Sequence, residues 1–322
     1  MCAILEAEHL AKAYRRKLRK ENSAFWKRQY EIKQAVGDIS FTIEEGELVG
    51  LVGMNGAGKS TLLKLLLGIL SPDSGEAKMF GRDSFRFRKK NASLIGANFG
   101  QKSSLVWDLP FLYSLELNQK IYQIPNAQFQ QTLDELDRFL QIKELLNIPV
   151  RLMSLGQRMR CEFAAITLHA PKLLILDEST IGLDILVKKK IEDYLNYINA
   201  QRNVTVLFST HDLAEMERIC SRFLLVNNGK LLLDDKVANI PALSQYSYLS
   251  VRTAGKCPCQ IEEKAGLTVV GHTEQEWKIR IDRAVLSEQE VMAELINRMP
   301  MENISAEKQS LEDFIYHLVQ EK

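Results

Sequence analysis

Apolar and polar positions alternate along residues 4–10, the spacing of a half-buried strand at a sheet edge. Residues 36–47 read as strand, Glu45-Gly46 turn, strand. Continuous apolar runs of strand length follow at 47–52, 172–177 and 204–210, as expected of strands buried on both faces. Helical spacing appears between them: over 62–70, at Phe129, Leu133, Leu136 and Leu140 within 127–146, and at Val187, Ile191, Tyr194 and Ile198. Residues 223–234 form a hairpin pattern around Asn228-Gly229. Strands alternating with helices predict a mostly parallel sheet covered on both faces. Residues 71–77 read as a turn-rich link, and 91–125 as apolar but irregular. A helical stretch between about 105 and 150 interrupts the alternation.

Residues 240–244 have the character of a linker. Beyond it the order is strand, short helix, strand, strand, helix, strand, helix, with the first three strands at 246–252, 267–270 and 277–281. Val291, Leu295 and Met299 mark the main helix. Ser310 caps a last one, with Asp313 three residues on and Leu311, Phe314, Ile315 and Leu318 on its apolar face. This order suits a ferredoxin-like α+β domain. The expected division is a domain over 1–240, with a helical subdomain at about 102–165, and an accessory domain over 241–322.

The net charge of +1 supplies no global field toward nucleic acid or a membrane, and no nucleic-acid partner is expected. No apolar run approaches the ~18 residues that span a bilayer, and the N-terminus lacks a signal-peptide pattern. Together these suggest a chain soluble by itself and cytosolic. Five scattered cysteines suit reduced thiols, and Cys257-Pro-Cys259 lacks the second pair of a metal clip. Residues 15–33 break the balance: they are strongly basic and carry Phe25, Trp26 and Tyr30. A solvated surface insertion and a segment meeting anionic headgroups or a membrane partner both fit.

The sharpest chemistry lies in ELVGLVGMNGAGKST, residues 47–61. An apolar strand, a loop with Gly53, Gly56 and Gly58, and a helix opening at Lys59, Ser60 and Thr61 make the context of a P-loop. Glycines let backbone amides approach a phosphate, and the helix start adds unpaired N–H groups. Lys59 is placed to reach β- and γ-phosphates and Ser60 to ligate Mg²⁺. LLILDE, residues 173–178, has the form of a Walker B strand. Asp177 suits a magnesium site and Glu178, one residue on, suits polarising a water.

Further motifs carry a resemblance. SLGQRMR at 154–160 resembles the signature of ATP-binding cassettes of ABC transporters; STIGLD at 179–184 resembles their D-loop. His211, in FSTHD, is similar to their switch histidine, and Gln101, in FGQ, to their Q-loop glutamine. The motifs stand in the family's order across residues 1–240. The signature departs from the commonest LSGGQ, with Met153 for leucine and Leu155 for the first glycine, while Ser154, Gly156 and Gln157 are retained. The resemblance implies an α/β P-loop NTPase fold with an inserted helical subdomain, and an ATPase using ATP and Mg²⁺. It implies ATP contacts from Gly53, Asn55, Gly56, Ala57, Gly58, Lys59, Ser60 and Thr61, and from Ser154, Gly156, Gln157 and Asp184. Ser60, Gln101 and Asp177 would hold the metal; Glu178, His211 and Gln101 would serve the reaction. Each ATP would lie between two cassettes, the P-loop of one facing the signature of the other.

Adenine would stack on an aromatic residue after the first strand. Tyr14 is the best placed, with Phe25, Trp26 and Tyr30 competing. The tail domain ending LEDFIYHLV, with FGQKSSLVWDLP and SLGQRMRCEF, resembles the ATPases of ABC-2 type exporters. The implied partners are membrane permease subunits and a second ATP-binding subunit, a copy of this chain; the permease surface falls at 103–113, a stretch that also fits ordinary core. The implied location is peripheral, on the cytoplasmic face of the membrane. A soluble ABC-family ATPase acting on ribosomes or nucleic acid is the rival reading. It is disfavoured by the single cassette, and a DNA-repair cassette by the shortness of 102–152. A small P-loop kinase would lack the signature and His211.

Overall fold

The computed structural model describes residues 2–17, 30–99, 103–210, 213–239, 246–253, 263–273, 275–298 and 301–307. The chain divides into two compact units, Met1–Val237 and Ala238–Lys322. In the first unit the strands are β1 (Ala3–Lys17), β2 (Tyr30–Glu44), β3 (Leu48–Val52), β4 (Ser74–Met79), β5 (Arg82–Asp83), β6 (Ile95–Phe99), β7 (Leu173–Asp177), β8 (Thr205–Ser209), β9 (Arg222–Asn227) and β10 (Lys230–Lys236). Its helices are α1 (Lys59–Leu66), α2 (Arg88–Asn91), α3 (Phe111–Ile121), α4 (Asn126–Leu140), α5 (Leu155–Thr167), α6 (Ile185–Arg202) and α7 (Leu213–Ile219).

Two sheets organise this unit. One has the order β10-β9-β3-β8-β7-β6. Its pairs are parallel except for the β9–β10 hairpin. The strands β7 and β8 are buried at every position, which is why they read as unbroken apolar runs. The other sheet is antiparallel, in the order β2-β1-β4-β5. Leu5, Leu10, Ile39 and Ile43 from it, Leu62 and Leu66 of α1, and Leu51, Ile175 and Leu224 of the parallel sheet share one core. The helix α1 is thus held between two sheets, and the loop before it opens at the carboxyl ends of the parallel strands.

Several expectations need correction. The strand over 4–10 is not an edge: β1 pairs with β2 on one side and β4 on the other. Its outward positions alternate polar because only one face of the sheet meets the core. The supposed link at 71–77 runs into β4. The irregular stretch 91–125 contains a core strand, β6, and a helix, α3. In α3 the apolar residues occupy both sides, Phe111 and Leu115 inward and Tyr113, Leu117 and Ile121 outward. That pattern erases the helical period. The helix expected to Leu146 stops at Leu140, where Gln141 takes a left-handed conformation (φ 49°). The helices α3, α4 and α5 lie between β6 and β7 in the chain.

The second unit contains β11 (Tyr246–Thr253), β12 (Leu267–His272), β13 (Glu276–Asp282), α8 (Glu288–Arg298) and β14 (Met301–Glu307). Its antiparallel sheet runs β12-β13-β11-β14, the strand order of a ferredoxin-like fold. Leu249, Val251, Trp277, Ile279 and Ile281 of the sheet pack on Val291 and Leu295 of α8. The short helix expected before β12, Met299 and the last helix from Ser310 lie outside the described residues.

Candidate functional site

The glycine loop enters from β3, which is hydrogen-bonded between β8 and β9 and cannot shift without disturbing the sheet. Gly58 caps α1 with φ 107°. A Cβ there would lie 2.1 Å from the Ala35 carbonyl oxygen, so both conformation and space demand glycine. No side chain caps the helix. Its first amides are left to an anion, and the helix dipole favours one. Asn55, Gly56 and Ser60 are exposed around the opening, while Ala57 is buried and Thr61 half-buried.

Lys59 is 5% exposed. Its Nζ donates to the Gly53 carbonyl (2.7 Å) and, more weakly, to that of Met54 (3.4 Å). Glu178 Oε1 stands 3.9 Å from the same nitrogen. Burial pushes the Lys59 ammonium below its usual range, and the negative charges of Glu178 and Asp177 oppose that shift. Asp177 closes β7 and is buried, and its Oδ1 has no hydrogen-bond partner. Glu178 follows with φ 52°, a left-handed conformation rare for such a side chain, and its amide donates to Ser209 O (2.9 Å). An unpartnered buried carboxylate oxygen beside an exposed serine hydroxyl fits a hard divalent cation such as Mg²⁺. No cluster of three or more metal-binding side chains exists among the described residues. That suits a metal held mainly by phosphates and water, with one or two protein oxygens.

A cleft of about 560 Å³ opens here, lined among others by Ser60, Asp177, Glu178 and Ser179. From the 154–160 segment, Leu155 and Met159 reach this cleft, whereas Ser154, Gly156 and Gln157 are not among its lining. Ser154 and Gln157 form a reciprocal cap at the start of α5: Ser154 Oγ accepts from the Gln157 amide and Gln157 Oε1 from the Ser154 amide. That leaves the Ser154 hydroxyl hydrogen and the Gln157 side-chain NH₂ as donors at a second helix start. Asp184 caps α6 with a single bond, its Oδ1 accepting from the Val187 amide (2.9 Å). A Cβ on Gly156 would lie 3.1 Å from Val187, and one on Gly182 3.3 Å from Leu155. The 154–157 and 179–184 segments therefore form one packed surface.

Tyr14 pairs with Lys33, two residues before the Ala35 that abuts Gly58. It is thus on the P-loop side of its sheet, and 42% exposed. Gln101, His211, Phe25 and Trp26, the side chain of Tyr30, and the Cys257-Pro-Cys259 pair lie outside the described residues. Sequence reasoning missed Glu215. Its buried carboxylate accepts from Thr180 (2.8 Å) and Thr210 (3.2 Å), joining the 179–184 segment to the end of β8 beside position 211. A lone acid on the inward face of a short helix was the available signal.

Comparison with known proteins gives one answer from three directions. The ABC transporter family pattern matches residues 36–181. ABC transporter G family member 20 of Dictyostelium discoideum is 34% identical over 205 residues, 64% of this chain and 28% of that protein. The bacitracin transport ATP-binding protein BcrA of Bacillus licheniformis is 31% identical, over 64% of this chain and 66% of its own length. The uncharacterized ABC transporter ATP-binding protein YcbN of Bacillus subtilis is 30% identical over 300 residues, 90% of this chain and 94% of that one. The chain thus spans less than two thirds of the length of some relatives and nearly all of another. An ATP-binding subunit of an ABC transporter superposes with a TM-score of 0.64 at 25% identity, covering 74% of this chain and 92% of that one. A dimeric cassette bound to ADP and phosphate shares the fold, with a TM-score of 0.62 at 23% identity, over 72% and 98% of the two chains.

Proposed function

Since the chain belongs to the ABC transporter family of ATP-binding proteins, an ATPase family whose subunits dimerise and work with membrane permeases, we propose that two copies of it clamp ATP and drive export through separate permease subunits. The observation that carries this reading is the meeting of Lys59, Glu178 and the unpartnered Asp177 Oδ1 at the mouth of an uncapped helix.

In the proposed cycle the triphosphate lies on the amides of 56–61, and Lys59 exchanges the Gly53 carbonyl for β- and γ-oxygens. A cation on Ser60 and Asp177, with Gln101, would neutralise charge developing on the phosphates. Once phosphate claims Lys59, Glu178 loses its cationic neighbour and is free to accept a proton from water. The water oxygen attacks the γ-phosphorus as the bond to the β–γ bridging oxygen breaks, releasing ADP and phosphate. Ser154, Gly156 and Gln157 of the second copy complete the site, consistent with their absence from the lining of their own cleft. Asp184 steadies that surface, and His211 is assigned to the reaction through its resemblance to the switch histidine of ATP-binding cassettes. Tyr14 stacks on adenine.

A transport role is supported by the name of BcrA, a bacitracin transport ATP-binding protein; the direction, export, rests on the resemblance of the tail domain and of residues 99–110 and 154–163 to ATPases of ABC-2 type exporters. The permease docks on the helical subdomain. Trp107, Leu109, Tyr113, Leu117 and Ile121 are exposed apolar residues there, more than an unpartnered surface needs. Among the described residues no helix is long and apolar enough to cross a membrane. The peripheral place on the cytoplasmic face that we assign to the chain rests on the family's pairing of ATP-binding subunits with membrane permeases.

The decisive variant is Glu178→Gln. It should keep ATP binding, cut steady-state turnover by ~10²–10⁴ and accumulate an ATP-bound dimer. Unchanged turnover would remove Glu178 from the role.

A further inference from the structure

Glu162 lies in the middle of α5, eight residues after Ser154, and is 2% exposed. Its carboxylate accepts from the Ser103 hydroxyl, the Ser104 hydroxyl (2.5 Å) and the Ser104 amide (3.1 and 3.2 Å to the two oxygens). The Ser103 oxygen in turn accepts from the Leu105 amide (3.2 Å). No described lysine or arginine forms an ion pair with it. A buried carboxylate held by hydroxyls and an amide is costly to keep and costly to break, since removing its donors leaves a charge unsatisfied.

The positions of its partners give this contact its meaning. Ser103 and Ser104 are two and three residues past Gln101, and Ser104 lines a second cleft of about 520 Å³ with Arg88, Asn118, Tyr122 and His169. At the other end, α5 begins with the Ser154–Gln157 cap. A helix moves as a rod, rising about 1.5 Å per residue, so a displacement at Glu162 is passed to Ser154 about 12 Å away with little loss. We propose that Glu162 is a positioning residue, fastening the chain just after Gln101 to the signature helix, so that events at the nucleotide reach the signature through one carboxylate. This rests on the ATP-clamp reading above and adds the element that transmits within it.

The test measures two equilibria on the full chain with ATP and Mg²⁺, in a Glu178→Gln background: ATP binding at dilute protein, and ATP-dependent dimerisation, both well below the melting temperature. Glu162→Ala should leave ATP affinity within about twofold and weaken dimerisation roughly tenfold, within the usual range of coupling between sites. Ser103→Ala/Ser104→Ala, which removes the donors and spares α5, should reproduce the loss if Glu162→Ala folds poorly. Combining the two sets should cost little more than either alone, because the same hydrogen bonds are removed. Glu162→Gln, which keeps one carbonyl acceptor, should recover part of the dimerisation. A purely structural role would lower the melting temperature and leave the ratio of the two equilibria unchanged, and that result overturns the proposal. If the parent chain fails to bind ATP at residues 53–61, the clamp reading falls first and this one with it.

Discussion

Replacing Gly58 by alanine probes how the phosphate loop is built. The residue sits at φ 107°, and the added Cβ would lie 2.1 Å from the Ala35 carbonyl oxygen and 3.5 Å from the Gly229 Cα. The left-handed conformation alone costs an L-residue about 1–2 kcal/mol. The collision is with backbone, which cannot rotate away, and overpacking of this kind costs about 1–3 kcal/mol more. Gly56 is the internal control: φ is 83°, yet no atom lies within 4 Å of its missing Cβ. Gly56→Ala therefore carries the conformational term without the collision. In urea unfolding of the full chain, Gly58→Ala should be less stable than Gly56→Ala by about 1–3 kcal/mol. It should also bind a fluorescent ATP analogue more weakly, because relief of the clash moves the first amides of α1. Equal stability of the two variants, within about 0.5 kcal/mol, would refute the reasoning, since ordinary surface changes fall inside that margin.

Two charged groups, Lys59 and Asp177, give the remaining predictions. Lys59 is held below its ordinary value of 10.5 by burial, so between its lowered value and 10.5 the unfolded chain binds more protons than the folded one. Stability of the nucleotide-free protein should then rise with pH across that window. Phosphate charge favours the ammonium, so ATP binding there should take up a proton and weaken as pH rises. Calorimetry in buffers of different ionisation enthalpy reads this directly, and an absence of uptake would count against Lys59 at the phosphates. Asp177→Asn removes a buried carboxylate whose Oδ1 has no partner. The nucleotide-free variant should melt close to the parent, since Oδ1 has no hydrogen bond to lose and Glu178 still faces Lys59. A Mg²⁺ titration of ATP binding should shift by at least about tenfold, and an unshifted titration would place the metal elsewhere.

The fold was most legible where one physical demand governed a segment. The strands β7 and β8 are covered on both faces and can only be apolar, so they stood out unaided. The P-loop was legible because close approach of backbone to phosphate leaves few residue types. The edge reading of β1 failed because alternation reports one buried face and says nothing about neighbours in the sheet plane. The helix α3 was invisible because Tyr113, Leu117 and Ile121 turn outward while Phe111 and Leu115 turn inward, so no helical period survives in the apolar positions. Gly96 and Asn98 broke the apolar run of β6. Glu162 and Glu215 were hidden for another reason. Their partners lie 58–59 and 5–35 residues away, and only the packed chain brings a hydroxyl to each carboxylate.

The central claim is that ATP joins the P-loop of one copy to the signature of another. Two variant chains test it, both carrying Glu178→Gln and with the exposed Cys2, and Cys257 and Cys259, changed to serine: one bears Asn55→Cys, the other Leu155→Cys. Mixed under oxidising conditions, they should form a disulfide-linked heterodimer with ATP and Mg²⁺ and remain single chains of 36.7 kDa without nucleotide. A linkage that forms equally without ATP, or never forms with it, would contradict the account.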